Sequence, residues 1–226
     1  MSSPVQHRWD LSPAEAQALQ QELRRRVVAE DDFGPVRFVA GVDNSYVPAT
    51  ATTCAGVVVL SWPELAVVER QVSRTPTTFP YVPGLLSFRE APGVLAAIAL
   101  LRTEPDLFIF DGQGIAHMRG LGLASHLGLI LDKPSIGCAK SKLVGQYTEP
   151  GPQQGDNSPL TYRGRVVGTV LRPATGRAAL LFVSPGHRIG PQSAARFVRE
   201  CCRGYVMPEP TRLAHALVTA ARRASV

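Results

Sequence analysis

The sequence predicts an α/β fold in which helices cover both faces of one mixed β-sheet. Three observations predict it. Three strand-like segments follow one another through short connections, which makes an antiparallel meander. The segments after them alternate helix and strand, an order that needs crossover connections and parallel pairing. The fourth strand, "LFIF" at Leu107–Phe110, is apolar at every position, as a buried strand is.

Each element has its own signal. Ser12-Pro13-Ala14-Glu15 opens the first helix: a serine cap, proline at the first position and a glutamate reaching back to complete the capping box. That helix is predicted to about Val28, with Arg24 to Arg26 on its later turns, a run that reads as a phosphate-facing patch or, by preference, as a solvated face beside a helix C-terminus. Val36–Val47 is the first strand, with Phe38, Ala40 and Val42 on one face. "CAGVVVLSW" and "LAVVERQV" follow, joined by a tight turn at Ser61-Trp62-Pro63-Glu64. After the loop "RTPTTFPYVPG" a helix is predicted from about Ser87 to Arg102, then the buried strand "DLFIFDG". A helix from about His117 to Leu131 and a short strand "PSIGCAK" come next. The polar, Pro/Gly-rich "GQYTEPGPQQGDNSP" is a loop. A hairpin turning at Arg163-Gly164, a strand "AALLFVS" and two helices, about Pro191–Cys202 and Glu209–Arg223, close the chain.

At 226 residues, 45% hydrophobic and 19% charged, the composition is that of a soluble globular protein, and one domain over residues 1–226 is expected. The formal charge of +6 makes a polyanionic partner plausible. The N-terminal "MSSPVQHRWDLSP" has no signal-peptide core, and the apolar run Val94–Leu101 is too short to span a bilayer. Cys54, Cys138, Cys201 and Cys202 have no CxxC spacing, so reduced, mostly buried thiols in a cytoplasmic protein are expected, with no membrane association.

The order β-β-β-α-β-α-β is that of the ribonuclease H-like fold, in which acids on the first strand, the first crossover helix and the fourth strand meet at one sheet edge. Here those acids are Asp43 in "GVDNSY", Glu90 in "LSFREAPG" and Asp111 at the end of "LFIFD". Any one alone reads as an ordinary strand-end or helix-cap acid; the shared topology makes them a set. Converging carboxylates repel and call for a cation, and a hard ion such as Mg²⁺ takes one or two carboxylates plus phosphate oxygens. Gly112 to His117 is a poor dinucleotide fingerprint, because His117 stands where the third glycine belongs.

"FPYVPGLLSFRE", "FDGQGIAHMRGLGLASHLG", "IGCAKSKL", "FVSPGHRI" and "PEPTRLAHAL" resemble the successive motifs of endonuclease V, the deoxyinosine 3′-endonuclease, over about residues 10 to 222. One departure is visible: Met118 follows His117 where the family usually has proline. The resemblance implies a Mg²⁺-dependent nuclease, with Mn²⁺ able to substitute. It implies recognition of hypoxanthine in DNA and cleavage of the second phosphodiester 3′ to it, leaving 3′-hydroxyl and 5′-phosphate. By motif, Asp43 and Asp111 would bind the metal, Glu90 would complete the acidic cluster, and Lys140 would sit by the scissile phosphate. His215 would position water or support the site, His117 would lie near the base pocket, and His187 receives no definite role.

"FPYVPG" resembles the family's wedge. Pro80 and Pro83 stiffen the backbone around Tyr81 and Val82, so that an aromatic enters duplex DNA at small ordering cost while the damaged nucleotide rotates out. Gly84, Leu85, Gly112 and Gly122 are the candidates for a backbone-lined base pocket, since glycine lets main-chain groups approach a purine edge. A monomer is expected. Two rival readings are an inosine-specific endoribonuclease and a non-catalytic lesion-binding protein on the same fold.

Overall fold

The computed structural model describes residues 5–176 and 179–223. Among these residues eight strands form one sheet: β1 Phe38–Val47, β2 Thr52–Ser61, β3 Val67–Pro76, β4 Leu107–Phe110, β5 Ser135–Ala139, β6 Asn157–Tyr162, β7 Arg165–Leu171 and β8 Leu181–His187, in the order β3-β2-β1-β4-β5-β8-β7-β6. The meander is antiparallel, β1 to β2 and β2 to β3, whereas β4 lies parallel to β1 and β5 parallel to β4. This is the mixed, ribonuclease H-like sheet that the element order predicts. The remaining strands, β8, β7 and β6, extend it in antiparallel fashion beyond β5.

The pleat sorts alternate residues to opposite faces. Ala40, Val42, Val57, Val59, Phe108 and Phe110 face one core with α2 (Leu86–Ile98) and α3 (Leu123–Leu131). Val39, Leu107, Ile109, Ile136 and Val183 face the other with α4 (Pro191–Cys201). Each fully buried side chain such as Phe110 contributes about 1.5–3 kcal/mol of apolar burial. The last helix, α5 (Glu209–Arg223), lies over β1 and β2 on the α4 side, where Val58 and Leu60 pack on Ala214. It sits so close to β1 that a Cβ on Gly41 would strike the Pro210 backbone. The first helix, α1 (Pro13–Leu23), packs outside α2, with Ala16 against Phe79, Leu85 and Phe88.

Local signals hold where chemistry is local. Ser12 caps α1 with its hydroxyl on the Glu15 N–H, and Glu15 reaches back to the Ser12 N–H at 2.7 Å. Arg163 and Gly164 both take positive φ, 51° and 74°, as the two-residue hairpin turn between β6 and β7 requires. Element ends differ more. The first helix ends at Leu23, not Val28: Arg24–Arg26 make a single 3₁₀ turn, and Leu23 anchors against Val5, Leu121 and Leu129 as the chain turns away. The second helix stops at Ile98, short of Arg102, and the Glu69 carboxylate accepts the Arg102 and Thr103 N–H groups at the exit.

The third helix starts at Leu123, six positions after the expected His117. Residues 115–122 instead turn twice, with Gly120 at φ 74°, and the Gly122 N–H bonds back to Gly114 O. Of the expected strand "AALLFVS", Ala178 lies outside the described residues, and the strand itself begins at Leu181. All four cysteines are buried, and burial pushes the Cys202 thiol up to about 12. Among the described residues no helix is long and apolar enough to cross a membrane.

Candidate active site

The site is built where β4 ends beside the middle of its parallel neighbour β1. Val42 pairs with Phe110, so Asp111, one residue on, donates its N–H to Val42 O at 3.1 Å and stands beside Asp43. Ligand sites in sheets of this kind lie off the carboxyl ends of such strands. Lys140 directly follows β5, the next strand, and its ammonium meets Asp111 Oδ2 at 2.8 Å. His215 comes from α5, 172 positions after Asp43, and its ring donates through Nδ1 to Asp43 Oδ2 at 2.8 Å.

Glu90 arrives from α2, on the opposite face of the sheet. The pleat explains how it is held: Asn44, with the parity of Ala40 and Val42, points toward α2 and donates to Glu90 Oε2 at 3.0 Å. Asp43, with the parity of Gly41, points toward α5. The three carboxylates thus share a neighbourhood while being held by different partners: His215 on Asp43, Asn44 on Glu90, Lys140 on Asp111. Among the described residues no three acidic, histidine or cysteine side chains stand together as a closed metal cage. Asp43 within β1 and Asp111 just past the end of the adjacent β4 suit a hard cation that takes its other ligands from water and phosphate.

Electrostatics reports the crowding of negative charge. Burial, then repulsion from Asp43 and Asp111, pushes the Glu90 carboxyl up to about 7 against the opposing Asn44 bond. Burial, then Asp111, raises Asp43, while the His215 bond pulls it down. Burial works to lower the Lys140 ammonium, but its bond to Asp111 and the attraction of both aspartates outweigh this and raise it. Lys140 is a fixed cation.

Beside this cluster is a cavity of about 370 Å³, within the range of small-molecule sites. Of the expected pocket residues, Tyr81, Val82, Pro83, Gly84, Gly112, His117 and Gly122 line it. Leu85 does not: it is fully buried against Ala16, Phe79 and Phe88, and its neighbour Leu86 faces the cavity instead. Pro80 lies outside the lining and is exposed. Tyr81 is 72% exposed at the rim, an aromatic held out into solvent.

Gly84 is held in the left-handed region, φ 78°, and a Cβ there would lie 2.8 Å from Met118 Sδ. Its carbonyl accepts from Gln20 Nε2 at 3.0 Å and Arg119 Nη2 at 2.6 Å, which pins the loop to α1 and to the His117 loop. Burial, then Arg119, holds His117 down at about 4, and its Nδ1 accepts the Arg119 N–H at 3.2 Å. The ring is therefore neutral near pH 7, with its other nitrogen protonated. His187 lies elsewhere: it accepts the Val28 N–H and contacts Asp132 at 3.4 Å, tying chain segments together.

A second cavity, about 410 Å³, lies on the other side of the Asp111–Lys140 pair and is lined by Asp43, Asn44, Ser45, His215, Thr219 and Arg222 as well as by that pair. Asp111 and Lys140 line both cavities, so the pair is a shared wall. Sequence reasoning missed Gln20, Asn44, Gln113 and Leu143. Leu143 lies within the quoted "IGCAKSKL" and Gln113 within "FDGQG", so motif extent held a signal for them. Gln20 and Asn44 act through partners 64 and 46 positions away, a relation no local pattern carries.

The chain is similar to known proteins over most of its length. A family model described as Endonuclease V matches residues 21–216. An endonuclease V of Azotobacter vinelandii is 51% identical over 216 residues, covering 96% of this chain and 96% of the relative. The crystal structure of an endonuclease V of Streptomyces avermitilis superposes with a TM-score of 0.91 at 39% identity, covering 96% of each chain. An endonuclease V of Ciona intestinalis, in complex with a 24mer DNA containing an inosine followed by a ribo-adenosine, superposes with a TM-score of 0.84 at 28% identity, covering 94% of this chain and 98% of that one.

Proposed function

This chain belongs to the endonuclease V family, and from that premise we propose that it is a metal-dependent DNA-repair nuclease acting on deoxyinosine. It cuts the second phosphodiester 3′ to the lesion and leaves 3′-hydroxyl and 5′-phosphate ends. One observation carries this reading: a largely apolar cavity, lined in part by glycines and His117, shares the wall Asp111–Lys140 with a trough of acids and cations. A base seated in the first cavity puts its own sugar beside that wall and a later phosphate in the trough. The separation of recognition from chemistry follows.

Asp43 and Asp111 would hold the cation, Mg²⁺ with Mn²⁺ able to replace it, and Glu90 supports the cluster from the opposite face. When bound, the ion offsets charge at phosphorus and makes a nearby water more acidic. The protein's own groups do the rest. Lys140, fixed by its 2.8 Å contact with Asp111, sets a positive charge where the phosphate oxygens gain negative charge. His215 orients the Asp43 carboxylate and can hold or pass a proton at its exposed ring edge. Tyr81, stiffened by Pro80 and Pro83, fills the space vacated by the extruded nucleotide, and Gly84, Gly112, Gly122 and the neutral His117 line its pocket. The protein acts as one domain over residues 1–226, as a monomer, in the cytoplasm.

The test is cleavage of end-labelled duplexes carrying one deoxyinosine, matched inosine RNA and undamaged controls, each with Mg²⁺ or EDTA. The expected product is a single Mg²⁺-dependent nick one nucleotide beyond the lesion's own 3′ phosphate in DNA. Preferential cutting of RNA would reassign the substrate, and tight binding with no nick in either would make this a lesion-binding protein.

A further inference from the structure

We propose that Arg222 is a phosphate-binding residue that holds the substrate strand on the 3′ side of the cut, so that α5 is a backbone clamp as well as the carrier of His215. This rests on the functional reading above. The argument begins with helical period. His215, Val218, Thr219 and Arg222 are spaced i, i+3, i+4 and i+7 and so share one face of α5. All four line the 410 Å³ cavity. Arg222 stands two turns from His215, roughly 10 Å along the helix axis.

Arg222 does not simply satisfy its own helix end. A last-turn cation stabilises a helix by facing the free carbonyls of that turn. Arg222 instead reaches across the cavity to β1, where Nη1 donates to Ser45 Oγ at 3.3 Å. That contact is exposed and aims the guanidinium over the trough. A guanidinium carries five N–H donors in a fork that suits phosphate oxygens.

The trough's charge pattern selects the ligand. Two cations, Lys140 and Arg222, line the trough together with the acids Asp43 and Asp111. A single small anion would sit against those carboxylates. A chain of phosphates can place one group by each cation, with the acids facing the bond between, where a divalent ion would neutralise them. The cavity is also on the side of the Asp111–Lys140 wall away from the base pocket. A strand that seats its base in the first cavity reaches Arg222 only after passing the catalytic acids. Arg222 therefore meets a phosphate beyond the cut. The family match ends at residue 216, short of this position.

The experiment is equilibrium binding of fluorescent inosine duplexes in EDTA by the wild type, Arg222→Gln and Arg222→Lys. Two substrates are compared, one with a full 3′ arm and one ending just after the cleavage position, each over a salt series. Arg222→Gln is expected to weaken binding to the full arm about tenfold and to flatten the slope of log K against log salt by about one. On the truncated substrate the loss should vanish, Arg222→Lys should keep most of the affinity, and melting temperatures should match. Wild-type preference for inosine with an unaffected Arg222→Gln, or an equal loss on both substrates, would overturn the inference alone. A wild type indifferent to inosine would overturn the functional reading and this inference with it.

Discussion

Glu90 should destabilise the metal-free protein at neutral and alkaline pH, and replacing it with glutamine should show by how much. The carboxyl goes from an ordinary value of 4.5 to about 7 in the folded chain, chiefly because it is buried and secondly because Asp43 and Asp111 repel its charge. Between those two values the folded state binds the proton more tightly than the unfolded state does. Stability is thus fully present below 4.5 and falls as pH rises through about 7. A gap of about 2.5 units at 1.36 kcal/mol each is roughly 3 kcal/mol, complete by pH 8. Glu90→Gln removes the ionisation, keeps the shape and still accepts the Asn44 amide bond. The assay is guanidinium unfolding in EDTA at pH 4.5 and pH 8. The variant should gain roughly 3 kcal/mol at pH 8, or about 6–12 °C in melting temperature, and close to nothing at pH 4.5. Mg²⁺ should narrow the difference by stabilising the ionised wild type. A gain equal at both pH values, or a variant less stable at pH 8, would refute the reasoning, because neither result can come from a carboxyl held up by burial and repulsion.

Asp111→Asn should abolish nicking while keeping inosine-DNA affinity within about tenfold, since wedge, pocket and phosphates supply the binding; Mg²⁺-dependent nicking near the wild-type rate would count against a metal-holding role. Tyr81→Ala should cost about 1–3 kcal/mol of base stacking on duplex inosine DNA and much less on single strands, where little stacking must be broken. Cleavage of both substrates by both proteins measures this, and equal losses would make the proline-stiffened segment only a loop. Gly84→Ala should cost about 1–2 kcal/mol in thermal unfolding from its φ of 78° alone, and should weaken inosine binding further by displacing Met118. A variant with unchanged stability and affinity would mean the loop relaxes freely.

Much of this protein is determined by sequence over short range. The capping box at Ser12 and the Arg163-Gly164 turn appear as expected because each depends on atoms within four residues. The fold class followed from element order, since a meander followed by strands linked through helices has few right-handed solutions. The candidate acids followed from that order and from motif resemblance. What the sequence could not decide was set by partners far away. Helix ends at Leu23, Ile98 and Leu123 depend on packing and on which backbone groups the loops claim, such as Glu69 taking the N–H groups of Arg102 and Thr103. Strand parity, visible only once β1 lies between α2 and α5, sends Asn44 to Glu90 and Asp43 to His215, so that three acids expected as one cluster are held from two faces. Leu85 and Leu86 are chemically alike, and only the placement of α1 decides that the first fills the core while the second faces the cavity. Local patterns report the conformation a segment can adopt, but burial and pairing between distant segments decide which side chain meets which.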